Sequence, residues 1–125
     1  MRILLDLEKG PIYEQIKGQI KEQILNGSLA PNEMLPSIRM LAKELKVGII
    51  TAKRAYDDLA SEGFTYSVQG KGVFVANITR EKIDEISYSE IVKHLRLAVQ
   101  AAKLNNLPKE KFTEIVEKVC SEEEL

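Results

Sequence analysis

The chain has 125 residues, 44% hydrophobic and 30% charged, which fits one ordinary soluble domain or a very small domain plus an appendage. Net charge is −1, and a single cysteine, Cys120, excludes an internal disulfide and fits a reducing cytoplasm, while one histidine, His94, beside it cannot complete a zinc site. No stretch approaches the ~18 apolar residues of a membrane span, and Met1-Arg2-Ile3-Leu4-Leu5-Asp6 is too short an apolar run for a secretory leader.

From Pro11 to Leu25, Ile12, Ile16, Ile20 and Ile24 recur on one helical face. Pro11 suits the first helical turn, Gly10 the cap before it, and Asn26-Gly27 the stop. Pro36 disfavours helix at Leu35, and Ser37 is a good cap for a short helix marked by Ile38, Leu41, Ala42 and Leu45. Lys46-Val47-Gly48 is a tight break. A third helix then runs from about Ile49 to Ser61, with Ala52, Ala55, Tyr56 and Leu59 inward, and Glu62-Gly63 ends it. Two short helices joined by a glycine-containing turn are a helix-turn-helix pattern.

Phe64 to Val68 reads as a strand with Phe64, Tyr66 and Val68 on one face. Gln69-Gly70-Lys71-Gly72 is a turn, and Val73 to Ala76 the return strand. A hairpin directly after a helix-turn-helix is a wing, and its tip offers Gln69 and Lys71 on a slim backbone. Taken alone, the same residues also describe an ordinary solvated hairpin. Ala76 to Glu85 reads as a polar boundary with the charge run Arg80-Glu81-Lys82. Beyond it, Tyr88, Ile91, Val92, Leu95, Val99 and Ala102 form one apolar helical stripe. Asn105-Asn106-Leu107-Pro108 breaks the chain, and Phe112, Ile115, Val116 and Val119 form a second stripe. Two helices of about 20 and 13 residues cannot bury both stripes alone, which points to a second copy across a two-fold axis.

Charge is distributed unevenly. Arg39, Lys43, Lys46, Lys53 and Arg54 face a single acid, Glu44, within Arg39 to Arg54, whereas eight basic and ten acidic residues follow Ala76. A local positive face steers a near-neutral protein toward phosphates. The alternative is a solvated helix face. No nucleophile–base pair, metal-ligand spacing or phosphate-binding glycine loop is present, so the reading is not an enzyme and requires no cofactor or metal. His94 and Cys120 read as surface, interface or packing residues.

Pro11-Ile12-Tyr13-Glu14-Gln15-Ile16, Leu35-Pro36-Ser37-Ile38-Arg39, Leu41-Ala42-Lys43-Glu44-Leu45 and Thr51-Ala52-Lys53-Arg54-Ala55-Tyr56-Asp57-Asp58-Leu59 together resemble GntR-type transcription regulators. Gly70-Lys71-Gly72-Val73-Phe74-Val75 resembles the family wing, and the short region after it resembles the YtrA subfamily. The resemblance implies a mainly α fold with a small β-hairpin. Residues 1–76 would form a winged helix-turn-helix DNA-binding domain and residues 77–125 a short two-helix dimerisation region. It implies a bacterial, cytoplasmic homodimer that represses a transporter-type operon and its own gene through an inverted-repeat, double-stranded operator. A small-molecule effector has room at an interface, and no membrane is involved.

In that geometry the third helix enters the major groove and presents Gly48, Ile49, Ile50 and Lys53. Arg39 matches the family arginine that reaches DNA, with an ion pair to Glu44 as its alternative. Ser37 and its neighbouring amides can hold a phosphate at the helix N-terminus. Thr51 is a phosphate contact or cap partner, Arg54 a contact or a partner of Asp57 or Asp58, and Gln69, Gly70 and Lys71 form the wing. Relatives place serine or threonine, then a polar or basic residue, where this chain has Gly48-Ile49; the isoleucines can pack on thymine methyls but cannot hydrogen-bond, so base specificity here leans on Arg39, Lys53 and the wing. The competing reading is a winged helix that no longer reads DNA and binds a protein instead, with Ile49 and Ile50 as its support.

Overall fold

Ile16, Ile20 and Ile24 repeat every fourth residue and are all buried, which fixes the inner face of helix α1, Ile12–Leu25. The computed structural model describes residues 1–125 and resolves into two units, Met1–Thr79 and Arg80–Leu125. In the first, α2 (Ile38–Leu45) and α3 (Ile49–Ser61) follow α1, and both α1 and α2 pack on α3. The core gathers Ile16, Ile20, Leu41, Leu59, Phe64 and Val75, each essentially without exposure. Burial of each contributes about 1.5–3 kcal/mol relative to solvent.

Pro11, rather than Gly10, is the N-cap of α1, with φ −58° and ψ 138°. The ring fixes φ but leaves ψ free to be extended, so proline can stand one residue outside the helix. Gly10 supplies the positive φ, 99°, that turns the chain into it. The segment before it is tied to α1 by a ladder of glutamines. Gln19 donates to the Leu4 carbonyl at 2.6 Å and accepts from the Leu4 N–H at 2.8 Å. Gln15 does the same at Asp6, at 2.6 and 2.9 Å, and Gln23 donates to the Arg2 carbonyl at 2.7 Å. Positions 15, 19 and 23 form one i, i+4, i+8 row.

The hairpin consists of β1 (Thr65–Val68) and β2 (Gly72–Val75), antiparallel, with Thr65 opposite Val75 and Val68 opposite Gly72. Phe64 does not share a face with Tyr66 and Val68. Phe64 and Thr65 are buried in succession, while Tyr66 and Val68 are exposed. The Phe64 N–H still bonds back to Leu59 at the end of α3, so the pleat begins one residue later. The segment leading into α2 adds a third, short strand-like layer. Asn32 and Leu35 donate to the Val75 and Val73 carbonyls at 2.8 Å, and Val75 donates to Glu33 at 2.9 Å. Met34 thereby pairs with Phe74, and the wing is fastened to the start of α2.

In the second unit, α4 (Arg80–Leu104) and α5 (Lys109–Glu122) are joined through Asn106, whose φ is 53°. The charge run at Arg80 opens α4 rather than preceding it. Arg80–Asp84 and Lys82–Glu85 ion pairs at 3.4 and 3.6 Å suit helical spacing, which is why a polar run reads like a linker and folds as a first turn. Neither helix buries a residue fully. Tyr88, Ile91, Leu95, Val99, Ile115 and Val119 are exposed, and Val92, Phe112 and Val116 half-buried. No helix is long and apolar enough to cross a membrane.

Candidate nucleic-acid interface

Three elements of the first unit carry the sequence-predicted contacts. The first is the start of α2. Ser37 has φ −62° and ψ 158°, and its Oγ accepts from the Met40 N–H at 3.1 Å. That satisfies one of the free amides of the first turn and leaves the amides of Ile38 and Arg39 at the positive end of the helix. Arg39 is exposed and makes no ion pair, with Glu44 or any other acid.

The second element is the start of α3. The turn between the helices takes its left-handed residue at Lys46, φ 56° and ψ 45°, and not at a glycine. Gly48 is extended, φ −68° and ψ 150°, and caps α3 without a side chain. The glycine is therefore not required by conformation. A Cβ there would find only Thr51 Oγ1 at 4.0 Å. Ile49 and Ile50 project freely, 54% and 84% exposed, and Thr51 is half-buried. Lys53 is exposed but bound to Asp57 at 2.6 Å, the i, i+4 pair of a solvated helix face. Arg54 meets neither Asp57 nor Asp58. Its guanidinium stacks on the Tyr13 ring, 3.7 Å from the centroid, and this ties α3 to α1.

The third element is the wing tip, Gln69 to Lys71, all exposed, with Gly70 at φ 77° and Gly72 at φ 137°. Lys71 makes no ion pair. Neither do Lys43 and Lys46. Two acids near the end of α3 are engaged away from these elements. Asp58 and Glu62 hold Lys17 at 3.4 Å, and Glu62 holds Lys21 at 2.6 Å. Burial draws the Lys17 pKa down, but Glu62 and Asp58 outweigh it and leave the ammonium above its ordinary value.

A residue that periodicity assigned only to the core also matters here. Tyr56 is 3% exposed, and its hydroxyl donates to the Pro36 carbonyl at 2.7 Å. Helical spacing shows that a side chain points inward but not which distant carbonyl it meets. Burial first, and Glu44 second, push its pKa far above the usual tyrosine range. In the second unit, His94 pairs with Glu90 one turn away at 3.1 Å.

A two-helix motif with exposed cations on its first helix and in the turn, followed directly by a slim hairpin with a lysine at its tip, defines a winged helix-turn-helix DNA-binding transcription regulator. The family described as "Bacterial regulatory proteins, gntR family" matches residues 12–75, and the chain belongs to it. Regulators of this family are not enzymes, and neither is this chain. It is 30% identical over 112 residues to the HTH-type transcriptional repressor YtrA of Bacillus subtilis, covering 90% of this chain and 86% of that protein. That likeness runs through both units and places the chain with the YtrA subfamily. A solved GntR family transcriptional regulator from Listeria monocytogenes superposes with a TM-score of 0.71 at 27% identity, over 91% of this chain and 98% of that one. The DNA-binding domain of AraR, solved in complex with operator ORE1, gives a TM-score of 0.52 at 36% identity, over 61% of this chain and 94% of that one.

Proposed function

We propose that the protein is a cytoplasmic homodimeric repressor that binds an inverted-repeat operator and controls a transporter-type operon and its own gene. The observation that carries the DNA reading is the set of unpaired cations, Arg39, Lys43, Lys46 and Lys71, on the elements that also expose the α2 and α3 starts. Ser37, Arg39, Gly48, Ile49, Ile50, Thr51, Lys53, Gln69, Gly70 and Lys71 form the contact set. Arg54 joins it by ordering Tyr13 and α1 behind α3. Ile49 and Ile50 pack on thymine methyls, while Arg39 supplies the bidentate contact.

Dimerisation is assigned to Tyr88, Ile91, Val92, Leu95, Val99, Phe112, Ile115, Val116 and Val119. Aligned apolar residues left in solvent on both helices support it. A dimer places two recognition helices on one face of DNA, about one helical turn apart. Repression is supported by the likeness to a named repressor, and the transporter operon and self-regulation by resemblance to its subfamily.

Fluorescence anisotropy on the protein's own upstream DNA, at several salt concentrations and against scrambled competitor, tests the reading. Competitor-resistant binding, with log affinity falling by about 0.9 per phosphate per decade of salt, supports it. The second reading is a protein-binding winged helix, favoured by the exposure of Ile49 and Ile50. If a randomised-site selection enriches no sequence, that second reading replaces the first.

A further inference from the structure

We propose that Tyr56 is a positioning residue for DNA recognition, its hydroxyl locking the start of α2 to α3 so that both reach the duplex in register. The inference rests on the operator-binding reading above. Tyr56 lies on the inward face of α3 and Pro36 lies 20 residues earlier in the chain, immediately before the Ser37 cap. No other side-chain hydrogen bond joins α3 to the segment entering α2.

The same segment is held on its other side by the wing, through Leu35 N–H to the Val73 carbonyl at 2.8 Å. Leu35 is itself buried. The stretch Met34 to Pro36 is therefore a joint clamped between β2 and α3, and α2 begins two residues beyond it. All three DNA-facing elements meet there, and the phenol supplies the side-chain hydrogen bond from α3 to that joint. Apolar packing alone tolerates small sliding of one helix on another. Hydrogen bonds to DNA do not, because the N–H···O distance window is only ~0.5 Å wide. Burial favours the protonated hydroxyl, the form that donates to the Pro36 carbonyl.

The experiment compares wild type, Y56F, R39A and the double variant on the inverted-repeat duplex enriched from a randomised library. Phenylalanine keeps the ring and removes the donor. Y56F is expected to weaken specific binding about tenfold and leave binding to scrambled duplex within about twofold. In the R39A background the same change costs less than about twofold, because the contact it positions is already gone. Hydrogen exchange supplies a readout without DNA. The Met40 and Leu41 amides, both bonded to Ser37, should exchange faster in Y56F while the α1 amides do not change. Incorporating 4-aminophenylalanine at position 56 returns a donor and should restore affinity, and it serves as the folded comparison if Y56F unfolds.

Wild-type affinity in Y56F, full additivity with R39A, or no rescue in a folded 4-amino variant each overturns the inference. A wild-type protein for which no duplex is enriched overturns the operator-binding reading itself, and with it this inference.

Discussion

Replacing Ile91 with alanine should weaken self-association without unfolding either unit. Ile91 lies on the apolar stripe of α4 and is 59% exposed in the single chain. Complete burial of an isoleucine is worth about 1.5–3 kcal/mol, so slightly more than half of that remains to be gained in an interface. Alanine keeps part of it, which leaves a loss of about 1 kcal/mol per copy. A two-fold interface uses the residue twice, for about 2 kcal/mol in total. That corresponds to roughly a 30-fold increase in dimer Kd. Sedimentation velocity over a concentration series reads this shift directly. Lys93→Ala, at an exposed charged position on the same helix, should leave Kd within about twofold. An Ile91→Ala Kd equal to wild type, or a wild type that remains monomeric at the highest concentration, would refute the assignment of this face.

Asp57→Asn frees Lys53 from its 2.6 Å partner and removes an anion beside the duplex, so operator affinity should rise by about two- to fivefold with a steeper salt dependence in anisotropy. Thr65→Val should raise unfolding stability by about 1 kcal/mol in urea titration, because Thr65 Oγ1 is buried without a hydrogen-bond partner. Lys17→Met should destabilise the first unit near neutral pH. The folded pKa of Lys17 is raised above its unfolded 10.5, so its contribution is complete below 10.5 and lost as pH climbs through the folded value. The gap between variant and wild type should therefore close in alkaline melts, and a gap that stays constant with pH would contradict the ion-pair account.

The helices of the first unit were readable from the chain because each has a single buried stripe with a stop signal behind it. Ser37 and Asn26-Gly27 mark ends that the backbone alone would leave unsatisfied. What escaped the pattern depends on partners distant in sequence. The strand-like pairing of Met34 with Phe74 has no alternation of its own, since Pro36 and the Asn32 turn bracket too few residues. The buried Thr65 breaks the expected alternation because Phe64 still belongs to the close of α3. Local spacing offers Arg54 only its neighbouring acids, whereas its partner, Tyr13, lies 41 positions away on another helix. The first turn of α4 reads like a linker because charged residues dominate it, with Ile83 its one apolar member, and its ion pairs are formed at helical spacing.

The glutamine row on α1 has a consequence for how the N-terminal segment can vary. Each bond runs from a glutamine amide to main-chain groups of Arg2, Leu4 or Asp6, and none reads a side chain. The path of the segment is thus encoded in the helix beneath it rather than in its own residues. The exposed side chains of Arg2 and Leu4 can vary while the course of the segment stays fixed. Only a residue lacking an amide hydrogen, proline at position 4 or 6, would break a rung from the segment's side.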